Sequence, residues 1–178
     1  WGLALGVWAL GCSSEGSAPS SLQQASKSLT ASAEAEQRVE ALRSRFGGVI
    51  GQGASVAFEP TGRDSVRALL PSKAKNDSVR LAGVELPARA TGFVRVEDDT
   101  SRVGVSFALR GVKDVPVAVT SSGIALYAGA LDGADVVHRV HPEGTEDFIV
   151  FERRPAREAL LYDVDVSDAA GLRVRRDI

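Results

Sequence analysis

The chain contains two histidines, His138 and His141, and several carboxylates follow them closely. Imidazole nitrogens and carboxylate oxygens are ligands for zinc, and both groups can act as general bases. Residues three apart on a β-strand face opposite sides, so these two imidazoles would not converge on one ion. Only around the turn that begins at Pro142 can a histidine approach acidic side chains. The residues available for a weak site there are His141, Glu143, Glu146 and Asp147.

The spacing of these residues fits neither a zincin motif nor a zinc ribbon. We therefore predict no metal site and no cofactor, and we interpret His138 as a half-buried strand residue and His141 as a turn residue. Serines in the structured part, such as Ser106, Ser121 and Ser122, lack the Gly-x-Ser-x-Gly context of a nucleophile. No catalytic residue is predicted, and the chain is expected not to be an enzyme.

The single cysteine, Cys12, directly follows an apolar run. Residues 1–12 are too short to span a bilayer as a helix, which takes about 20 apolar residues. They match the length of the apolar part of an export signal. A cysteine directly behind such a run resembles the lipobox of bacterial lipoproteins, and this resemblance implies acylation of Cys12. Gly11 fits the pattern, whereas Ala9 and Leu10 depart from it.

Two other interpretations of residues 1–12 stay open at this point. One is cleavage after Gly11 by a type I signal peptidase, and the other is a buried N-terminal segment. Methionine is absent, so we expect a partial lipoprotein-type signal that lacks its first residues. The predicted location is the outer membrane or the cell surface, with the periplasmic face as an alternative. The first predicted partner is a membrane, contacted through the lipid anchor.

Residues 13–32 contain eight serines together with glycine, proline and glutamine. Such a composition buries too little apolar area to offset the entropy of ordering, so it predicts a flexible Ser-rich tether. From 33 to 48 apolar residues recur at spacings of three and four, and Gly47-Gly48 act as a stop signal. The sequence predicts an amphipathic helix over 33–48. It would pack on the following domain or stay loosely on the tether, with a partner helix as the less favoured alternative.

After Gly53 short β-rich runs follow one another at intervals of about 8–12 residues, as in β-sandwich domains. In the clearest run, 102–109, every second residue is apolar. The sequence therefore predicts an all-β fold, an antiparallel β-sandwich over 53–178, preceded by the signal, the tether and the short helix. The run 172–178 stops in mid-pattern, so we expect the domain to be incomplete at its C-terminal end.

Aspartates mark the expected turns of this domain. Asp98-Asp99 separates the runs 92–97 and 102–109, and Asp132-Gly133 is a hairpin signal. Three further aspartates near the end could gather a hard cation such as Ca²⁺. Alternating carboxylates on a strand are more often its solvated face, which is the interpretation we adopt for Asp163, Asp165 and Asp168.

The overall charge adds limits on the possible partners. The formal net charge is −2 at pH 7, and both signs are spread along the chain. Nucleic acid binding would call for a basic patch, so no nucleic acid partner is predicted. One cysteine cannot form an internal disulfide, so an apolar core must hold the fold.

The stretches 127–140 and 143–151, followed by 160–166, resemble the N-terminal β-domain of very large exported bacterial surface proteins. These include the YD-repeat (Rhs-like) wall-associated proteins. The resemblance implies a non-catalytic β-sandwich near the exported end, with activity in downstream domains of the same longer chain as further partners. The positions that match the family pattern would be structural signatures: Tyr127, Asp135, Gly144, Glu146 and Phe148.

Three functions follow as hypotheses. The first is a non-catalytic, surface-tethered module of a large exported lipoprotein that serves adhesion, display or assembly. The second is a module that binds carbohydrate or a cell-wall polymer, although aromatic residues are scarce and both tryptophans lie in the signal. The third is a metal-dependent hydrolase that uses His138, His141 and Glu146.

Overall fold

The computed structural model describes residues 33–51, 56–70, 81–156 and 158–170. The predicted signal over 1–12, the tether over 13–32 and the lipidation site Cys12 lie outside the described residues. Within the described residues, no helix combines the length and the apolar character that crossing a membrane requires.

The helix α1 spans Ala33–Ile50 and so extends two residues beyond the end predicted from Gly47-Gly48. The break in helical geometry falls instead at Phe46, with φ −131° and ψ 29°. Glycines in a helix cost roughly 1 kcal/mol each. Ile50 beyond them is buried, and its carbonyl accepts a hydrogen bond from Arg139 Nη1 at 2.9 Å. These tertiary contacts stabilise the last turn.

In the described part of the chain, ten strands form two antiparallel sheets, as an all-β sandwich requires. The six-stranded sheet has the order β1-β2-β3-β4-β5-β10. Its strands are β1 Ala57–Thr61, β2 Ser65–Leu69, β3 Ala82–Pro87, β4 Val94–Asp98, β5 Gly104–Leu109 and β10 Tyr162–Asp165. The four-stranded sheet has the order β6-β7-β8-β9. Its strands are β6 Ala118–Val119, β7 Ile124–Leu131, β8 Ala134–His141 and β9 Gly144–Phe151.

The first core lies between the two sheets. The six-stranded sheet contributes Val84, Leu86 and Val94, and the four-stranded sheet contributes Tyr127 and Val136. All five side chains are almost fully removed from water. Burial of aliphatic and aromatic side chains of this size stabilises a fold by roughly 1.5–3 kcal/mol each. The predicted antiparallel β-sandwich is therefore confirmed.

A second core lies on the other face of the four-stranded sheet, where α1 packs. The helix contributes Ala35, Val39 and Leu42, at the spacing that the amphipathic pattern predicted, and the sheet contributes Leu126 and Val137. Both faces of β7 and β8 are consequently buried. The domain has three layers: a helix, a four-stranded sheet and a six-stranded sheet.

The turns lie where the aspartates predicted them. The Asp98 carboxylate accepts hydrogen bonds from the amides of Thr100 and Ser101 at 3.0 and 2.6 Å, in the connection between β4 and β5. Asp132-Gly133 connects β7 and β8, and Gly133 takes φ +67°, a left-handed conformation that glycine adopts without strain. These short connections fix the register of both hairpins.

Candidate functional site

One of the buried polar side chains among the described residues is His138, which projects from β8 into the space between the sheets. Its neighbours on the same face of the strand, Val136 and Val140, belong to the core between the sheets. His138 itself is 4% exposed, so it is fully rather than half buried. A polar side chain in such a place needs a hydrogen-bond partner, because an unpaired one costs roughly 1–3 kcal/mol.

The partner of His138 is Asp147, which lies directly opposite it on β9. His138 Nδ1 and Asp147 Oδ1 are 2.7 Å apart. An ionised carboxylate only accepts hydrogen bonds, so Nδ1 carries the hydrogen and the carboxylate receives it. The hairpin turn between β8 and β9 thus assembles a buried histidine–aspartate pair by cross-strand register alone.

Tyr127 on β7 encloses this pair and ties the two sheets together. Its ring meets the His138 ring edge to face, with the centroids 5.5 Å apart and an interplanar angle of 86°. Its hydroxyl donates to the carbonyl of Pro87 on β3, in the other sheet, at 2.6 Å. Burial, and then the negative charge of Asp147, raise the pKa of Tyr127 far above its usual range. The phenol therefore stays neutral and keeps its donated hydrogen bond.

A small cavity of about 20 Å³ adjoins the pair. This volume admits one water molecule. Tyr162 of β10 also lines it, and the Tyr162 ring packs edge to face on Phe107 with the centroids 6.2 Å apart. Burial, and then the charge of Asp147, raise the pKa of Tyr162 as well. The remaining lining residues are Pro87, Ala90, Gly92, Val94, Ala108, Leu109, Val112, Tyr127 and Val136.

In this arrangement the imidazole of His138 is held in one orientation by Asp147, as in a general base. A histidine held by an aspartate is two-thirds of a catalytic triad, and such a pair activates a nearby hydroxyl or thiol. Among the described residues that line the cavity, no serine, threonine or cysteine is present. The hydroxyl of Tyr127 is engaged by Pro87. The pair as built satisfies its own hydrogen bond and connects β8 to β9.

The structure separates the candidate metal ligands. His138 faces the space between the sheets, whereas His141, three residues on, has the opposite orientation at the end of β8. Asp147 binds His138, and Glu146 pairs with Arg139 on the helix-facing side. Within the described part of the chain, no three histidine, cysteine or acidic side chains are grouped so that they could hold a metal ion.

A second polar cluster, which the sequence analysis missed, lies under α1. Arg38 donates from Nε and Nη2 to the two carboxylate oxygens of Asp135, at 2.6 and 2.8 Å. Asp135 is 5% exposed and also accepts from the amide of Gly129 at 2.7 Å, at an irregularity in the pairing of β7 with β8. The hydrogen bond that Arg38 donates to Asp135 raises the pKa of Arg38 above its usual value.

Arg139 forms a further polar contact between the helix and the sheet. Its side chain donates both to Glu146 and to the carbonyl of Ile50, and lies 5.7 Å from the Phe148 ring centroid. The last carbonyls of a helix have no partner within it, so this arginine caps α1 and meets the negative end of its dipole. Pairing a helix residue with a sheet residue requires the tertiary structure, so no local signal pointed to either arginine.

The residues matched to the family pattern take structural positions. Tyr127 joins the two sheets, Asp135 binds the helix, Glu146 supports Arg139, and Phe148 packs under α1. Gly144 begins β9 at φ +147°, a conformation that favours glycine. The histidine–aspartate pair had a signal available, because a hairpin that turns at 142–143 places residues 138 and 147 opposite each other.

Comparison with known proteins adds no relative. No protein-family model, curated protein or solved structure matches the chain. The contacts of the described residues therefore carry the functional argument.

Proposed function

We propose that the chain is a lipid-anchored, non-catalytic module that a bacterium displays at its surface. The observation that carries this proposal is that α1 is built into the domain. The helix α1 starts at Ala33 and is a layer of the domain, joined to the sheet through Arg38–Asp135 and Arg139–Ile50. The serine-rich residues 13–32 then serve as the connection between Cys12 and the folded unit.

The length of that connection suits a spacer. A flexible chain of n residues has a root-mean-square span of about 5–6 Å times the square root of n, which gives about 25 Å for residues 13–32. Such a span would hold the domain clear of the lipid headgroups. Lipids attached at Cys12 would supply the anchor, since two acyl chains hold a protein stably on a membrane.

The buried histidine–aspartate pair supports a structural role for this site. His138 and Asp147 satisfy each other, and Tyr127 is bound to Pro87. Each polar group therefore has a role in joining strands or sheets. We extend the proposal to the resemblance noted above: the module corresponds to the N-terminal β-domain of YD-repeat (Rhs-like) proteins and carries downstream regions outward for adhesion or assembly.

The anchor is tested by metabolic labelling. The full gene product, expressed with its own signal in a Gram-negative host, is supplied with an alkyne-bearing palmitate. We expect the wild type and the control Ser13→Ala to be labelled and to enter the detergent phase. The variant Cys12→Ala should be unlabelled. An unlabelled wild-type chain that starts at Cys12 with a free thiol would instead identify type I cleavage and refute the anchor.

Display is tested separately, by adding protease to intact cells. Loss of the domain from intact cells is the expected result. Protection in intact cells, followed by cleavage once the outer membrane is opened, would place the domain on the periplasmic face and overturn the display proposal. A cytoplasmic marker protein serves as the control for cell integrity.

A further inference from the structure

In the described part of the chain the two sheets have four edges, and three of these edges hinder pairing with another strand. At the edges of the six-stranded sheet, β1 contains Pro60, which has no N–H to donate, and β10 has four residues. At one edge of the four-stranded sheet, β6 has two residues. The fourth edge is β9, which has eight residues, no proline and no lysine, and pairs with β8 without a bulge. Strand β9 is therefore the edge best suited to take another strand.

The backbone groups of β9 point alternately towards β8 and towards the open side. The amide of Glu152, directly after β9, donates to the carbonyl of Gly133, directly before β8, at 2.9 Å. Since hydrogen-bonded pairs alternate along an antiparallel ladder, the even-numbered residues of β9 bond to β8. The N–H and C=O groups of the odd-numbered residues, such as Asp147 and Ile149, face outward. Among the described residues β8 is the one strand that pairs with β9, so this outward row is available to a second strand.

Charges of opposite sign lie at the two ends of β9. Glu143 directly precedes the strand, Arg153 follows it, and both are exposed. Neither takes part in a salt bridge with another described residue. Within the strand, the acidic residues Glu146 and Asp147 come first and the apolar residues 148–151 follow. An antiparallel copy of the same strand therefore brings acidic and basic ends together.

We propose that two copies of the domain join through β9, antiparallel and around a two-fold axis at Phe148, so that their four-stranded sheets form one continuous sheet. In this register Glu143 of one copy lies opposite Arg153 of the other, once at each end of the junction. Asp147 of one copy and Ile149 of the other exchange backbone hydrogen bonds, because both residues face the junction. A two-fold contact uses the same patch on both copies, so the pairing closes at a dimer.

Hydrogen bonding and charge together select this register. A slip of one residue would place outward-facing groups opposite groups that already bond to β8. A shift of two residues in one direction places Asp147 opposite its own counterpart, and the same shift in the other direction places Glu146 opposite Glu152. Like charges directly opposite each other are destabilising. In the proposed register Asp147 lies opposite Ile149, and Glu146 lies opposite Val150.

The helix-facing side of β9 has space for the second strand. A groove of about 260 Å³ lies between α1 and the end of β9, and its lining includes Val150 and two arginines, Arg38 and Arg45. Arg38 is bound to acidic residues of its own chain, whereas the exposed Arg45 forms no salt bridge within the described residues. Glu146 of the second copy, opposite Val150, enters on this side and adds an acidic group near Arg45.

The six-stranded sheet leaves apolar side chains exposed above the same edge. Tyr162 of β10 lines the small cavity together with Asp147 of β9, so β10 lies over β9. Tyr162 and Val164 face inward, because their cross-strand partners on β5 pack against the core between the sheets. Even so, they are 37% and 46% exposed. An axis perpendicular to the four-stranded sheet keeps each face on its own side, so these apolar groups of both copies gather over the junction and are removed from water.

Sedimentation velocity on the full chain at increasing protein concentration tests the proposal, and we expect a monomer–dimer equilibrium. Glu143→Arg and Arg153→Glu should each raise the dissociation constant of the dimer about tenfold, because each brings like charges together twice across the axis. The double variant Glu143→Arg/Arg153→Glu should restore the wild-type value. The matched control Glu59→Arg makes the same charge change on β1 and should leave the constant unchanged. A dimer that neither single variant weakens forms through another surface and would overturn the proposal.

Amide hydrogen exchange provides a second, independent measurement. The amides of Asp147 and Ile149 should exchange at least about tenfold more slowly when the dimer predominates than in the monomer. The amides of Phe148 and Val150, which bond to β8, are the internal control and should be protected at every concentration. Protection of Asp147 and Ile149 that is independent of concentration would mean that another segment of the same chain covers β9, and the proposal would be wrong. A chain that stays monomeric, with these two amides unprotected, would equally refute it.

Discussion

Asp147 and Asp135 are both carboxylates of the four-stranded sheet, but they face opposite sides of it and are stabilised differently. Asp147 lies between the sheets and forms one hydrogen bond, with the imidazole of His138. Asp135 lies under the helix and accepts hydrogen bonds from two nitrogens of Arg38, a guanidinium that stays charged. The inner face is therefore held mainly by packing, and the outer face by packing together with a permanent ion pair.

The largest expected effect is the loss of stability when a core residue is truncated on either face of the four-stranded sheet. Tyr127→Ala should lower the free energy of unfolding by about 4 kcal/mol and Leu42→Ala by about 3 kcal/mol, because each empties a well-packed site. Urea unfolding followed by circular dichroism measures both. The control Leu161→Ala changes a residue that is 63% exposed and should have an effect near zero. Helix loss at a lower urea concentration than sheet loss would show that the helix is not part of one cooperative unit.

The second comparison concerns the two acids themselves. Asp135→Asn removes the charge that pairs with Arg38 and should cost about 2 kcal/mol, since Arg38 is partly exposed and the loss is screened by water. Asp147→Asn keeps an oxygen that accepts from His138 Nδ1 and should cost about 1 kcal/mol. Urea midpoints at neutral pH give the order. If Asp147→Asn costs as much as Asp135→Asn, the distinction between the two faces is wrong.

The smallest expected effect is a loss of stability at alkaline pH. The chain has two tyrosines, Tyr127 and Tyr162, and burial raises the pKa of each. The unfolded chain releases these protons near pH 10, before the folded chain does, so this contribution is present below pH 10 and is lost as pH rises. Tyr127 should lower the free energy of unfolding by about 1.4 kcal/mol for each pH unit above about 10.

Tyr127→Phe should remove the pH dependence of the free energy of unfolding above pH 10. Tyr162→Phe should change that dependence less, because Tyr162 is more exposed to water. Tyrosinate absorbance distinguishes the two residues: Tyr162 should ionise in the folded protein, and Tyr127 only as the protein unfolds. A slope unchanged by Tyr127→Phe would contradict the burial argument.

Local patterns were sufficient to predict the elements but not how the layers meet. The apolar spacing at Ala35, Val39 and Leu42 predicted the helix, and Asp98 and Asp132-Gly133 predicted two hairpins, because helix periodicity and turn chemistry are properties of neighbouring residues. The extension of α1 to Ile50 depends on Arg139, which is far away in the sequence. No local rule contains that contact.

In the candidate site, too, some contacts could be predicted from the sequence and others could not. The pairing of His138 with Asp147 follows from counting residues on both sides of the turn between β8 and β9, so it could have been predicted from the sequence. The adjacent apolar residues Val136 and Val137 were a further available signal for burial of both faces of β8, but the sequence analysis interpreted His138 there as half-buried. The contact between Arg38 and Asp135 could not be predicted from the sequence, because it depends on which face of the sheet the helix covers.

The ion pair between Arg38 and Asp135 has a mechanical consequence. It fastens the helix to the sheet about one turn from Ala33, where the preceding chain joins the domain. A pull on that chain would load the first turns of the helix before the strand ladders. These turns are held by the packing of Ala35, by the hydrogen bond from the Ser121 amide to Glu36 and by the Arg38–Asp135 pair, so Arg38 would contribute to the resistance of the domain to tension.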